Sequence, residues 1–261
     1  MEVIVQPDAI RAARLAAAFI DHALRLKPNL VLGLATGSTP LLLYKELIRR
    51  HHEEGLDFSR VTTFNLDEYL GLAPEHPASY HTYMREQLFE QVNLSPGHMH
   101  LPNGMAPDVQ AHCRDYEARI TAVGGIDIQV LGIGADGHIG FNEPTSSLAS
   151  HTRTKTLSVR TRRDNARFFA TPADVPHACI TMGIGTILRS RTCLLLASGA
   201  NKAKAVAGAV EGPVTAMNPA SALQLHPDAR FFLDDAAAAC LAQRDYYDEC
   251  FAQEPFWRGL R

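Results

Sequence analysis

Apolar and polar positions along this chain follow two periods in turn. Short apolar runs predict buried strands, and longer stretches with an apolar residue at every third or fourth position predict helices. We expect strands at residues 3–5, 30–34, 61–65, 126–131, 178–182, 193–197 and 230–233. We expect helices at 8–26, 40–54, 79–91 and 108–123, after the strands at 178–182 and 193–197, and in the alanine-rich stretch after residue 233.

The alternation of strands and helices indicates the fold class. It favours an α/β fold with an open, mostly parallel, Rossmann-like sheet and helices on both faces. No internal repeat or flexible linker divides the chain, so residues 1–261 are predicted to form a single domain. Residues 151–170 differ in character, because they carry six positive charges and few large aliphatic side chains. We interpret about 145–175 as a small mobile lid.

Composition narrows the class of protein. Apolar residues make up 46% of the chain, and the net charge of -3 with dispersed Lys and Arg argues against a nucleic-acid partner. Five cysteines without a CxxC pair favour reduced thiols and a cytoplasmic protein. Charged residues interrupt the apolar part of the N-terminal segment, so we expect neither a signal peptide nor a membrane span.

The segment ATGSTP (35–40) follows the second strand and precedes a helix. Backbone N–H groups at such a helix start, with the hydroxyls of Thr36, Ser38 and Thr39, are suited to bind phosphate. An ordinary Ser/Thr helix cap fits the same residues, and both interpretations remain open. The loop matches neither a Walker A motif nor GxGxxG, so the expected ligand is a small monophosphate.

An acid, Asp67, follows the third strand within the segment NLDEY (65–69). A carboxylate there can act as a general base if it faces a crevice, although an isolated Asp more often forms a turn or caps a helix. Reactive groups also follow the second and fourth strands. Because the carboxyl ends of parallel strands meet where ligands bind, the three segments favour a shared crevice.

The strongest signal is the loop GADGHIGFNEP (134–144), which follows the fourth strand. It contains Asp136, His138 and Glu143, and alternation in an extended loop allows the first two to face the same side. A carboxylate beside an imidazole sets its tautomer, and Glu143 can extend the relay. Zinc-type sites usually add a second His or Cys, so we expect no metal. No GxSxG motif supports a Ser-His-Asp hydrolase.

Positive charges lie near this loop in the sequence. The basic stretch 151–170 favours anion binding over a merely solvated surface. Lys202 follows the strand at 193–197 and offers another cation for a phosphate. The remaining histidines, among them His81, lack acidic partners in the sequence, and we assign them surface or structural roles.

Five segments resemble the glucosamine-6-phosphate deaminase family. They are LATGSTP (34–40), FNLDEYLGL (64–72), HPASY (76–80), LGIGADGHIGFNEPTSSL (131–148) and LQLHPDA (223–229). The resemblance covers essentially the whole chain in order, and the pair FNxDEY and GxDGHIxFNEP is highly specific. In the related 6-phosphogluconolactonases, a segment other than FNEP follows DGH.

The resemblance implies conversion of glucosamine 6-phosphate and water to fructose 6-phosphate and ammonium, in amino-sugar catabolism and without a metal or other cofactor. It assigns proton transfer between C2 and C1 to Asp67. It assigns ring opening to His138, with Asp136 and Glu143 as a relay. The residues it implies for phosphate binding are Thr36, Gly37, Ser38, Thr39, Arg167 and Lys202. The chemistry agrees, since ring opening and proton abstraction beside a carbonyl need separate acid/base centres.

Some members of this family are hexamers that bind the activator N-acetylglucosamine 6-phosphate between subunits. The residues that match here are Ser147, Arg153, Lys155 and Thr156, so the resemblance implies a homo-oligomer with that activator. Residues 217–221 and the C-terminal segment depart from the family pattern. Two alternatives remain: a 6-phosphogluconolactonase-like hydrolase that shares the phosphate site, and a non-catalytic sugar-phosphate sensor.

Overall fold

The computed structural model describes residues 1–260. Its strands are β1 (Glu2–Gln6), β2 (Val31–Leu34), β3 (Thr62–Asn65), β4 (Asp67–Tyr69), β5 (Met99–His100), β6 (Ile128–Gly132), β7 (Arg153–Thr156), β8 (Ala178–Thr181), β9 (Thr192–Ala197) and β10 (Ala229–Asp234). Its helices are α1 (Ala9–Leu26), α2 (Leu41–Glu54), α3 (Tyr80–Gln87), α4 (Val109–Ala122), α5 (Val159–Asn165), α6 (Ile184–Ile187), α7 (Ala203–Val210), α8 (Arg244–Gln253) and α9 (Pro255–Arg258). Short 3₁₀ helices connect several of these elements.

Several helix boundaries follow directly from the local sequence. The side chains of Asp8, Ser79 and Asp108 accept hydrogen bonds from the N–H groups three residues later, which caps α1, α3 and α4. Gly55 ends α2 with a φ of 67°, a left-handed conformation that favours glycine. These helices therefore begin within about one residue of their predicted starts.

Seven strands form a sheet in the order β1-β10-β9-β6-β2-β3-β5. All its neighbouring strands run parallel. Helices flank the sheet, and α1 packs on β1, β9 and β10 and against α2. The α/β class and the mostly parallel sheet are thereby confirmed. Since β6, β2 and β3 are adjacent, the segments that follow them emerge side by side.

A second sheet has the order β4-β8-β7, with both pairs antiparallel. The strand predicted at residues 178–182 is confirmed as β8, but it belongs to this small antiparallel sheet. The sequence predicts no strand within residues 151–170, where the structure has β7. β7 reads Arg-Thr-Lys-Thr and has no fully buried residue, so no apolar pattern marks it as a strand.

The chain passes from the large sheet into the small one through a single residue, Leu66. The backbone N–H of Leu66 donates to the carbonyl oxygen of Leu34 at 3.0 Å. Its own carbonyl accepts from the N–H of Met182 at 2.7 Å. Both sheets therefore determine where the next residue, Asp67, lies.

Two further predictions differ from the structure. Residues 235–240 form turns and not an alanine-rich helix. The side chain of Asp234 accepts the N–H of Ala237 at 2.7 Å, which favours a turn where helix propensity alone favours a helix. β5 was not expected, because only Met99 and His100 pair with β3.

All five cysteines are free: Cys113, Cys179 and Cys193 are buried, and Cys240 and Cys250 are exposed. Among residues 1–260, no helix has the length and apolar character needed to cross a membrane.

Candidate active site

A cleft of about 290 Å³ opens beyond the carboxyl ends of β2, β3 and β6. Its lining residues lie within the segments 35–39, 66–69, 77–83, 132–141 and 161–168, together with Lys202. Reactive groups from distant parts of the sequence therefore share one space, as the convergence of strand ends predicted. A more open groove of about 630 Å³ lies along α1 and α2, and it contains none of the predicted site residues.

The loop after β2 has the conformation and the hydroxyl groups that suit an anion. Gly37 has a φ of 91°, a conformation that L side chains rarely adopt. The hydroxyl of Tyr83, on α3, donates a 2.6 Å hydrogen bond to the carbonyl oxygen of Gly37 and so holds the loop. Thr36, Ser38 and Thr39 line the cleft, and α2 begins without a side-chain cap. The alternative of an ordinary helix cap therefore does not account for these hydroxyls.

Two cations line the same cleft. Arg167 lies in the 3₁₀ turn after α5, with its guanidinium carbon 4.8 Å from the centre of the Phe168 ring. Lys202 follows β9, and burial lowers its pKa although the charges of Asp136 and Asp164 oppose this. Both cations predicted to bind phosphate thus line the same cleft as the loop after β2.

Asp67 is the first residue of β4 and lines the cleft with only 5% of its surface exposed. Burial, and then the negative charge of Glu68, raises the pKa of Asp67 to about 8, although the nearby backbone N–H of Phe141 favours the ionised form. No Lys, Arg or His side chain within residues 1–260 forms an ion pair with this carboxyl group. A group whose pKa lies near neutrality is suited to take and return a proton.

The loop after β6 brings three titratable groups together. Nδ1 of His138 lies 2.6 Å from Oδ1 of Asp136 and 3.9 Å from Oε2 of Glu143. Although partial burial opposes ionisation, the hydrogen bond and charge of His138 hold the pKa of Asp136 well below its ordinary value. A Cβ atom on Gly134 would lie 2.2 Å from the imidazole, so this backbone position leaves room only for glycine. The predicted pairing of Asp136 with His138 is confirmed.

The ligand atoms of these three groups lie within 4.8 Å of one another, a spacing that a metal ion would also accept. The hydrogen bond to Asp136 engages Nδ1 of His138, which leaves Nε2 as the free nitrogen of the ring. The absence of a catalytic metal stays a prediction.

A contact that the sequence did not predict joins Glu143 to α5. Oε1 of Glu143 accepts a short hydrogen bond from the hydroxyl of Thr161 and another, at 3.3 Å, from the N–H of Ser158. Oε2 faces His138 and is buried without a hydrogen-bond partner. The segment that we interpreted as a lid thus contacts the relay, while its mobility stays a prediction.

The sequence also did not predict the contacts made by the residues at the start of α3. Tyr80 lines the cleft, and Glu68 accepts hydrogen bonds from the first turn of α3 and from Nδ1 of His81 at 2.9 Å. Our interpretation that His81 lacks an acidic partner was therefore wrong. The segment HPASY contains Tyr80 and resembles the family, but neither periodicity nor spacing assigned it a role.

The four residues predicted to bind an activator do not line the cleft. Arg153, Lys155 and Thr156 belong to β7, and Ser147 lies in the preceding loop. Ser147 and Thr156 are exposed, whereas Arg153 and Lys155 are partly buried. Binding of an activator there stays a prediction.

A family model described as glucosamine-6-phosphate isomerases/6-phosphogluconolactonase matches residues 8–231. The chain belongs to this family. A protein of Arthrobacter sp. (strain FB24) named glucosamine-6-phosphate deaminase is 54% identical over 260 residues, which cover 100% of both chains. Another of that name, from Streptomyces avermitilis, is 51% identical over 261 residues and is again covered completely. The resemblance found in the sequence is confirmed.

Solved structures agree with the family. One described as a monomeric glucosamine-6-phosphate deaminase has a TM-score of 0.90 at 45% identity, covering 92% of this chain and 100% of that chain. The 6-phosphogluconolactonase from Trypanosoma brucei has a TM-score of 0.72 at 20% identity, covering 92% of this chain and 98% of that one. At that identity the likeness demonstrates a shared fold and nothing further.

Proposed function

We propose that this protein converts glucosamine 6-phosphate and water to fructose 6-phosphate and ammonium. The observation that carries the proposal is one cleft that contains a phosphate loop, a buried base and a carboxylate-bound imidazole. The combined isomerisation and deamination needs an anchor and two acid/base centres. The full-length identity of 54% to a protein named glucosamine-6-phosphate deaminase supports the same substrate.

In the first step, His138 opens the sugar ring. Ring opening removes a proton from the C1 hydroxyl and delivers one to the ring oxygen, which leaves an aldehyde at C1. Asp136 holds Nδ1 of His138 at 2.6 Å, so Nε2 is the nitrogen available for this transfer. The phosphate, held by the loop after β2 with Arg167 and Lys202, positions the sugar.

In the second step, Asp67 removes the proton from C2 of the open-chain sugar and returns a proton to C1. The C1 carbonyl oxygen gains a proton, and the ammonium group on C2 loses one. The resulting imine at C2 adds water and releases ammonium, which leaves the ketone of fructose 6-phosphate. A carboxyl group with a pKa of about 8 can carry out both halves of the proton transfer, because its pKa lies close to neutral pH.

The surroundings of Asp67 also favour an amino sugar over a lactone. Burial disfavours its ionised form, and no cation of the described chain pairs with it. The ammonium group on C2 of the substrate would bring a positive charge next to this carboxyl group and promote its ionisation. 6-Phosphogluconolactone has no such charge.

One assay separates the three candidate activities. The protein is incubated in parallel with glucosamine 6-phosphate and with 6-phosphogluconolactone, and ammonium, fructose 6-phosphate and 6-phosphogluconate are measured. We expect ammonium and fructose 6-phosphate in equal amounts from the first substrate. Lactone hydrolysis alone would support the hydrolase alternative, and binding of either sugar phosphate without turnover would support a sensor.

The proposal also covers the regulation, the oligomeric state and the metabolic role of the protein. N-acetylglucosamine 6-phosphate would activate a homo-oligomer through Ser147, Arg153, Lys155 and Thr156, in amino-sugar catabolism in the cytoplasm. The two partly buried cations on β7 and the free thiols support these assignments. Sedimentation and substrate saturation with and without the acetylated sugar test them. A monomer with hyperbolic kinetics, unchanged by that sugar, would contradict regulation.

A further inference from the structure

A second buried carboxylate, Glu68, lies next to Asp67 and has no part in the chemistry described above. Glu68 is only 1% exposed. It accepts hydrogen bonds from the N–H groups of Tyr69 at 2.8 Å, Tyr80 at 2.9 Å and His81 at 3.1 Å. Nδ1 of His81 adds a contact at 2.9 Å. The carboxylate thus binds the strand that carries the base to the first turn of α3.

Helix α3 in turn contacts the phosphate loop. Tyr80 and Thr36 line the same cleft. The hydroxyl of Tyr83 donates to the carbonyl oxygen of Gly37 at 2.6 Å. The path from the phosphate anchor to the proton-transfer base therefore runs through α3 and Glu68, in addition to the strands of the large sheet.

We propose that Glu68 is a positioning residue for the proton transfer, which sets the distance between the phosphate loop and Asp67 and adds a negative charge beside the base. The proposal rests on the proposed function. It assigns to Glu68 two effects that two different substitutions can separate from each other. The position of its oxygens holds α3, and its charge acts on Asp67.

The charge of Glu68 is not cancelled by a neighbouring Lys or Arg. Within residues 1–260, its only ion-pair partner is His81. The other stabilising groups are the N–H groups at the start of α3, where the helix dipole favours a negative charge. The titratable groups next to it are Asp67 and Tyr69 on its own strand and Tyr80 and His81 on α3, while Ile180 of β8 lies opposite it.

The test compares Glu68→Gln with Glu86→Gln, a matched change on the exposed side of α3, where Glu86 lies 3.9 Å from Arg85. We expect Glu68→Gln to lower kcat roughly 10- to 100-fold, the scale of a misplacement of about 1 Å. In a plot of kcat/KM against pH, the rise on the acidic side should move to lower pH, because loss of a like charge favours ionisation of Asp67. Glu86→Gln should leave kcat and the pH profile unchanged.

A second variant, Glu68→Asp, keeps the charge and withdraws the oxygens by one methylene. We expect a lower kcat and a higher KM, with no change in the acidic side of the pH profile. This variant still tests the proposal if Glu68→Gln does not fold. The proposal would be overturned if a folded Glu68→Gln variant had the parental kcat, KM and pH profile. It would also be overturned if Glu68→Asp had the parental kcat and KM. Failure of the proposed function is a different result, since the unsubstituted protein would then release no ammonium.

Discussion

Asp67 and Asp136 are the same side chain in opposite surroundings: Asp67 lines the cleft, and Asp136 binds the imidazole that lines it. Asp67 is buried beside another carboxylate, and its pKa rises to about 8. Asp136 is hydrogen-bonded to His138, and this contact holds the pKa of Asp136 well below its ordinary value despite partial burial. The first is suited to exchange protons, and the second stays ionised and orients a ring. Their environments, not their chemistry, separate the two roles.

The structural elements that carry Asp67 and Asp136 differ as well. Asp67 lies on a strand of the small sheet, directly after the residue that bonds to both sheets. Asp136 lies in a loop, where Gly134 gives space to the imidazole. A base that must reach C2 at a set distance benefits from a rigid element, whereas a relay residue needs only its partner nearby.

The largest expected effect is at Asp67. Asp67→Asn keeps the side-chain shape but cannot accept a proton, so kcat should fall by about 10²–10⁴. Exchange of the C2 hydrogen with deuterated water, followed by NMR, should disappear, while phosphate-dependent binding of the sugar remains. Persistent exchange would assign the base to another group.

A smaller loss should follow from His138→Gln. Sugar phosphates open spontaneously in water, so the variant keeps a supply of open-chain substrate, and we expect a loss of about 10² in kcat. The C2 exchange should continue at a rate limited by ring opening. A loss as large as that of Asp67→Asn, with no exchange, would contradict the division between the two centres.

The contact between α5 and Glu143 should have a moderate effect. Thr161→Val removes the hydroxyl that donates to Glu143 and keeps the side-chain volume. We expect kcat to fall about tenfold, the effect of one hydrogen bond to a charged group. Thr161→Ser retains the donor and is the control. Equal rates in both variants would exclude a role for this contact in ring opening.

The smallest expected effect is on stability. Because burial raises the pKa of Asp67 to about 8 in the folded state, from about 3.9 when unfolded, its contribution to stability is greatest at low pH and is lost as the pH rises to about 8. Asp67→Asn removes this dependence. Its melting temperature should match the parent at about pH 4 and rise increasingly above it as the pH approaches about 8.5.

Differential scanning fluorimetry across the pH range measures this difference. If the difference in melting temperature between the variant and the parent were the same at every pH, burial would not control the ionisation of Asp67.

The parallel sheet could be predicted because its strands are buried on both faces and appear as apolar runs. β9, for instance, is buried along its whole length. The same signal identified the segments after β2, β3 and β6, where Thr36, Asp67 and His138 line the cleft. Local sequence was sufficient there because each group follows a recognisable strand.

The small sheet and α3 could not be predicted in the same way. β7 is short and polar, and its pairing with β8 depends on contacts across more than twenty residues of sequence. The partnership of Glu68 with His81 joins residues 13 positions apart on different elements. Such contacts depend on the tertiary arrangement, and no period in the sequence records them.

The single residue between β3 and β4 has a consequence for insertions and deletions. Side chains of a strand alternate between two faces, so an insertion after Leu66 would turn Asp67 away from the cleft. A deletion of Leu66 would move Glu68 into the place of the base, which preserves a carboxylate in the cleft but removes the residue that binds α3. The length of this junction therefore constrains the protein as strongly as the identity of Asp67.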